Sequence, residues 1–264
     1  MPRNSAERDP AANDAGDRYR APALDKGLDI LELLSEQPHG LTRAEIVKAM
    51  GRSPSEIYRM LERLVVRHYV SRSPEGDRYA LSLKLFTLAQ RHPPLNRLVA
   101  RALPAMDAFA RSAEQSCHLG VYDRGNVTIV AQVASPVYWG LSIRLGSRVS
   151  LVDTGSGHVL LAFQTEARRA EMLAAHVATE GEVPIGEREL KATLRRIRER
   201  RYWQGESQQT QGVVDLSMPV MGPGGEALAV LTCPYIRRID RHVGPDIDAA
   251  RALLQRAIEG LSIA

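Results

Sequence analysis

The chain has 264 residues, 44% hydrophobic and 25% charged, with a formal net charge of +4. That composition fits a soluble globular protein of one large or two modest domains and excludes a fibrous or low-complexity chain. Two cysteines, Cys117 and Cys233, are too few for a disulfide framework or a cysteine-built zinc site. They fit a reducing cytoplasm, and no apolar run is long enough to span a bilayer, so a soluble cytoplasmic protein is expected.

Residues 1–20 are polar, without apolar periodicity, and are expected to form a mobile tail. Leu24, Leu28, Leu31 and Leu34 then recur at helical spacing, which predicts a core helix over residues 23–35. Residues 42–69 read as two short helices joined by a tight turn. Thr42 with Glu45, and Ser53 with Glu56, each form a capping box, Pro54 stands at a first helical position, and Gly51 suits a left-handed helix end. Ile46, Val47 and Met50 face inward from the first helix; Ile57, Leu61, Leu64 and Val65 do so from the second. Residues 69–73 and 78–81 read as strands around the turn Pro74-Glu75-Gly76-Asp77. Three helices and a hairpin make a winged helix-turn-helix, the second helix of the motif being offered to a DNA major groove.

Residues 82–90 read as a short helix, His92-Pro93-Pro94 as a boundary, and residues 95–113 as a longer amphipathic helix. The expected division is a winged domain over 21–82, a linker helix region over 83–98 and a second domain over 99–264. In the second domain strands are expected at 118–122, 127–133, 138–145, 149–152, 213–221 and 227–233. Helices are expected at 156–164, 166–176 and 187–201, with a last one opening at Gly244-Pro245. Hairpin strands with helices beside them give an α+β sheet domain.

Charge concentrates where DNA would dock. Between Thr42 and Arg72 lie seven basic and three acidic residues, an excess equal to that of the whole chain. Ser53, Ser55, Tyr58 and Arg59 are the candidates at the start and outward face of the recognition helix. Arg59 has the geometry to pair bidentately with guanine, Arg43 and Arg63 suit phosphates, and Arg72 and Arg78 flank the wing tip. In the second domain, Thr154-Gly155-Ser156-Gly157 precedes a helix. The amides there and the Ser156 hydroxyl make a cradle for a polar or anionic group, or else an ordinary glycine-rich cap.

Other motifs carry less. Asp153-Thr154-Gly155-Ser156 spells the aspartic-protease signature, but that chemistry needs two aspartates sharing a proton under a flap, and no flap hairpin is legible. Cys117 and His118 are neighbours on a strand and point to opposite faces, which suits a buried thiol and a structural histidine. His158 and His176 lack partners at metal-ligand spacing, and the basic run 195–201 reads as a solvated helix face. No metal, cofactor or catalytic group is expected.

From Ala23-Leu24-Asp25-Lys26-Gly27-Leu28 through Ser53-Pro54-Ser55-Glu56-Ile57-Tyr58-Arg59 to Gly76-Asp77-Arg78-Tyr79-Ala80-Leu81, the chain resembles the IclR (isocitrate lyase regulator) family of bacterial transcription factors. Leu141-Ser142-Ile143-Arg144-Leu145-Gly146, the 154–162 segment and Met218-Pro219-Val220 extend that resemblance over residues 21–264. It implies a GAF-like effector-binding domain and dimers or tetramers on palindromic operators; ligand binding is then expected to shift the linker helix. By the same carry-over Leu141 and Val149 wall the effector pocket, Thr232 adds a hydroxyl, and Asp215 stands where the family often has cysteine. A carboxylate there repels an acidic effector and suits a hydroxyl, amine or sugar. The expected partners are operator DNA and a small effector, either an organic or aromatic acid or a hydroxylated, sugar-like metabolite. The expected function is a ligand-responsive regulator, repressor or dual, of a catabolic operon; the alternative is a hydrolase carrying a DNA-binding module.

Overall fold

A computed structural model describes residues 21–238 and 242–262; the expected tail over residues 1–20 lies outside the described residues. The chain divides into two compact units that meet in sequence at Pro93 and Pro94.

The first unit runs α1 (Pro22–Ser35), β1 (Leu41–Thr42), α2 (Arg43–Met50), α3 (Pro54–Val66), β2 (Val70–Arg72), β3 (Arg78–Leu81) and α4 (Lys84–Gln90). Its core is Ile30, Leu31, Leu34, Ile46, Ile57, Leu61, Val70 and Tyr79. The apolar stripe of α1 begins later than its leucine spacing suggests: Leu24 and Leu28 are exposed, and Ile30 is buried instead. Both capping boxes form. Thr42 N–H donates to the Glu45 carboxylate at 2.7 Å and Glu45 N–H donates to Thr42 Oγ1 at 3.3 Å. Ser53 N–H and Oγ both donate to Glu56, at 3.3 and 2.8 Å. Lys26 of α1 also pairs with Glu56, which holds that carboxyl down at about 2 with help from Ser53. Gly51 closes α2 at φ 59°, the left-handed conformation that glycine adopts without steric cost. The three strands order β1-β3-β2, all antiparallel. β1, two residues long, is too short to show alternation in sequence.

The second unit comprises α5 (Pro93–Ala113), β4 (Cys117–Asp123), β5 (Asn126–Val133), β6 (Arg148–Val149), α6 (Gly155–Ala162), α7 (Glu166–Ala174), α8 (Glu187–Arg200), β7 (Trp203–Glu206), β8 (Val213–Met221), β9 (Ala227–Ile236) and α9 (Ile247–Glu259). Pro93 and Pro94 stand at the first turn of α5, where no intrahelical N–H bond is lost. The six strands form one antiparallel sheet in the order β6-β5-β4-β9-β8-β7. One face, with Leu216, Met218, Leu231 and Cys233, packs on Met106 and Phe109 of α5 and Leu254 of α9. The other, with Val127 and Val230, packs on α6 and on Leu194 and Ile197 of α8. Every residue of α6 is buried, which matches a helix apolar all round.

Two expected strands are corrected. Residues 138–147 are irregular, and Tyr138, Trp139 and Leu145 are exposed. Residues 138–145 pair with no strand among the described residues. The segment reaches β5 only at its end, where Gly146 N–H, at φ +81°, donates to Ile129 O at 2.8 Å and Ser147 O accepts from Ile129 N–H at 3.0 Å. The strand expected at 149–152 stops at Val149, because Ser150 Oγ accepts from the amides of Val152 and Asp153 and folds a turn. β7 is an addition, entered through Arg201 in the left-handed region at φ 68°.

Candidate nucleic-acid interface and effector site

On α3, Ser55, Tyr58, Arg59 and Arg63 are exposed while Ile57 and Leu61 are fully buried. The helical period thus puts the polar candidates on one side and the core on the other. A cleft bounded by α2, α3 and the wing carries Arg43, Tyr58, Arg72 and Tyr79. Arg43 lies over the Tyr58 ring at 5.5 Å and Arg72 over the Tyr79 ring at 5.7 Å. Arg72 Nε also donates to Gly76 O at 2.5 Å across the wing turn. Arg78, exposed, donates to Gly40 O at 3.1 Å and stands 3.7 Å from Glu45, so its guanidinium braces wing against α2. Ser53 spends its hydroxyl on Glu56, the capping bond described above. Ser55, Arg59 and Arg63 remain the side chains with most freedom to reach a ligand.

In the second unit, α6 is fixed by its entry turn. Thr154 Oγ1 donates to Ser150 O at 2.6 Å and accepts from Gly157 N–H at 3.0 Å. The amides of Gly155 and Ser156, at the first two helical positions, have no partner inside the helix. Ser156 Oγ lies 2.8 Å from Thr232 Oγ1, which donates to Ser217 Oγ at 2.8 Å. This buried hydroxyl chain binds α6 to β9 and β8.

Two cavities adjoin there, both partly open to solvent; outer and inner denote the β4–β9 side and the α8–β7 side respectively. The outer one, about 120 Å³, is lined by Leu141, Val149, Ser156, Asp215 and Thr232 among others. The inner one, about 220 Å³, is lined by Gly155, Asp153, His158 and Trp203 among others. Asp153, Gln208 and Asp215 belong to both walls. All six residues expected at an effector site therefore line one or other cavity. His118, expected to be merely structural, lines the outer cavity and pairs in register with Thr232. Burial pushes its pKa down to about 4, so the ring is neutral. Among the described residues the outer lining contains no lysine or arginine.

Comparison with known proteins follows the same division. Residues 23–74 match the IclR helix-turn-helix domain, and residues 95–257 match the C-terminal domain of the bacterial transcriptional regulator IclR. The chain belongs to the IclR family of bacterial transcriptional regulators. It is 28% identical over 214 residues to the HTH-type transcriptional regulator KdgR of Escherichia coli K12, covering 80% of each chain. It is 26% identical over 212 residues to the regulator XynR of the same organism, covering 80% of this chain and 84% of that one. Among solved structures, Thermotoga maritima IclR shares the fold at 23% identity with a TM-score of 0.72, covering 90% of this chain and 96% of that one. An IclR homologue from Microbacterium hydrocarbonoxydans, complexed with 4-hydroxybenzoate, shares it at 19% identity with a TM-score of 0.74, covering 91% and 97%. The α+β architecture, a winged helix-turn-helix with a GAF-like second domain, is the fold of this family. Like the family, this IclR protein is a ligand-responsive DNA-binding regulator. No helix among the described residues is long and apolar enough to cross a membrane.

Asp215 gives the outer cavity of this IclR protein a pH-dependent charge. Burial raises its pKa from 3.8 to about 6, partly offset by a hydrogen bond from Ser207. A raised folded-state value means that folding favours the protonated acid. That contribution to stability is complete below about pH 4 and lost as pH rises through about 6. Asp215→Asn, which stays neutral, is therefore expected to be more stable than the parent at pH 7.5 by at most about 3 kcal/mol. The gap should close toward pH 4; thermal denaturation across that range measures it, and a gap independent of pH would contradict it.

Proposed function

We propose that this regulator acts in the cytoplasm as a homodimer or tetramer, reading operator DNA with α3 and responding to a small molecule held in the outer cavity. The observation that carries the first half is the outward face of α3, where Ser55, Arg59 and Arg63 are exposed beside a cleft edged by Arg43 and Arg72. Arg59 reads a base edge, Arg63 and Arg43 hold phosphates, Tyr58 packs against Arg43, and Arg78 acts on DNA only by fixing the wing. Fluorescence anisotropy with DNA upstream of the chain's own gene tests this, and binding insensitive to salt, or none, would refute it. Arg59→Ala should cost roughly 1–3 kcal/mol and relax preference at one base pair, whereas Arg63→Ala should weaken all sequences evenly and lower the salt slope by about one.

The second half rests on the lining. Ser156, Thr232, Ser207 and Asp215 present hydroxyls and a carboxylate with no opposing cation in the outer wall among the described residues. Such a lining favours a small molecule rich in hydrogen-bond donors over an organic or aromatic acid. We also propose that the second unit does no catalysis. Asp153 accepts from Val183 N–H at 2.9 Å through Oδ2 and makes no hydrogen bond through Oδ1. It shares no proton with Asp215, so the proton-sharing pair of an aspartic protease is not assembled. Control of a catabolic operon, as repressor or dual regulator, is the role we assign it.

A further inference from the structure

The inner cavity holds a polar arrangement that the regulator's fold does not require. Asp153 and His158 are each 6% exposed and line it. Asp153 Oδ1 and His158 Nδ1 have no hydrogen-bond partner. His158 Nε2 lies 2.6 Å from Val152 O, so that nitrogen carries the proton and donates; Nδ1 is left as a lone-pair acceptor. Burial lowers the basicity of the ring, which keeps it in this neutral form. Two buried acceptors are thus left on the cavity's lining, one on a carboxylate that forms no salt bridge with a described residue. An unpaired buried carboxylate is costly, and the group that relieves it best is a cation that also donates hydrogen bonds.

The rest of the lining agrees. Asp215 and Glu189 bring two further carboxyl groups, while Glu206 pairs with Arg237 at 3.4 Å and Arg196 is the cation in the lining among the described residues. Trp203 adds an aromatic wall, its ring centre 5.5 Å from that of His158, and Val152, Val183 and Ile185 supply apolar surface. Carboxylates, an aromatic ring and apolar walls around about 220 Å³ are the chemistry of a site for a small organic amine.

We propose that the inner cavity is an ammonium-binding subsite, in which Asp153 Oδ1 and His158 Nδ1 accept hydrogen bonds from a protonated amine. This deepens the effector reading and rests on it: the amine is one end of a ligand whose remainder reaches the outer cavity past Asp215.

Three probes of one shape and three charges test the inference: benzylamine, benzyl alcohol and benzoate, titrated calorimetrically into the full chain at pH 7.5. Benzylamine should bind and raise the melting temperature, benzyl alcohol should bind at least tenfold more weakly, and benzoate should not bind. Asp153→Asn keeps an acceptor for Val183 N–H but turns the unpartnered atom into a donor. It should weaken benzylamine roughly 10- to 100-fold while leaving salt-sensitive DNA binding unchanged. Glu189→Lys, on the exposed surface of α8, should weaken it as well and poses no risk to the core. Failure of benzylamine to bind, or binding of the alcohol as tight as that of the amine, would overturn the subsite. So would benzylamine binding that Ser156→Leu abolishes and Asp153→Asn does not, since that places the amine in the outer cavity. Any of these results with DNA binding intact removes the subsite alone; loss of DNA binding by the parent chain removes the regulator reading beneath it.

Discussion

Gly157→Ala is expected to destabilise the second unit by at least about 3 kcal/mol, the reverse of what helix propensity forecasts. In an ordinary helix the change from glycine to alanine gains about 1 kcal/mol. Here a Cβ on Gly157 would lie 2.2 Å from Leu151 O and 2.5 Å from its carbonyl carbon. Those are backbone atoms in a turn already tied by Ser150 and Thr154, so no side chain can swing away. Either α6 lifts from the turn or the turn opens, and overpacking of this kind costs up to about 3 kcal/mol before any bond is lost. Lifting α6 also pulls Ser156 from Thr232 and breaks the buried hydroxyl chain. Denaturant unfolding followed by tryptophan fluorescence is the direct measure, because Trp139 and Trp203 are the chain's two tryptophans and both lie in this unit. An unchanged or raised midpoint would show that the close approach of α6 to Leu151 does not exist in solution.

That approach is invisible in sequence, and it marks where reading the chain succeeds and where it stops. The helix-turn-helix is legible because its signals are local. Thr42 and Glu45, and Ser53 and Glu56, are three residues apart, and each pair closes its capping bonds within one turn. The leucine spacing of α1 misleads over its first two leucines, Leu24 and Leu28, since which leucines are covered depends on where the neighbouring elements cross. β8 and β9 are legible as apolar runs, whereas Tyr138, Trp139 and Leu145 look equally strand-like and lie exposed in a loop. Nothing local separates the two cases; the presence of a paired neighbour does. His118 shows the same limit at the site. Its place beside Thr232 comes from the pairing of β4 with β9, more than a hundred residues apart. Strand parity would have found it only once that register was known. Glycine-rich residues 154–157 read as a polar cradle, and Thr154 indeed caps the helix, but the inner cavity behind them depends on α8 and β7, which the segment itself does not announce.

Leu61→Ala tests whether the first unit stands by itself. Leu61 is fully buried in a small core with Ile30, Ile46, Ile57 and Val70. Truncation there removes apolar burial and leaves a cavity, a loss of about 2–5 kcal/mol. A winged unit of this size buries a smaller fraction of its surface than a large domain does, so its own stability is expected near the low end of roughly 5–15 kcal/mol. The variant should lose most operator binding at 37 °C although no DNA-facing side chain is altered, because α3 carries Arg59 and Leu61 on opposite sides of one helix. Far-UV circular dichroism should then show an early loss of helix, from α1 to α3, at a temperature where tryptophan fluorescence is still native. The effector unit, probed by benzylamine or by any ligand that raises its melting point, should respond as in the parent. A single transition in which both signals shift together by the same amount would show instead that the two units unfold as one, and that the operator-reading helix draws its stability from the whole chain.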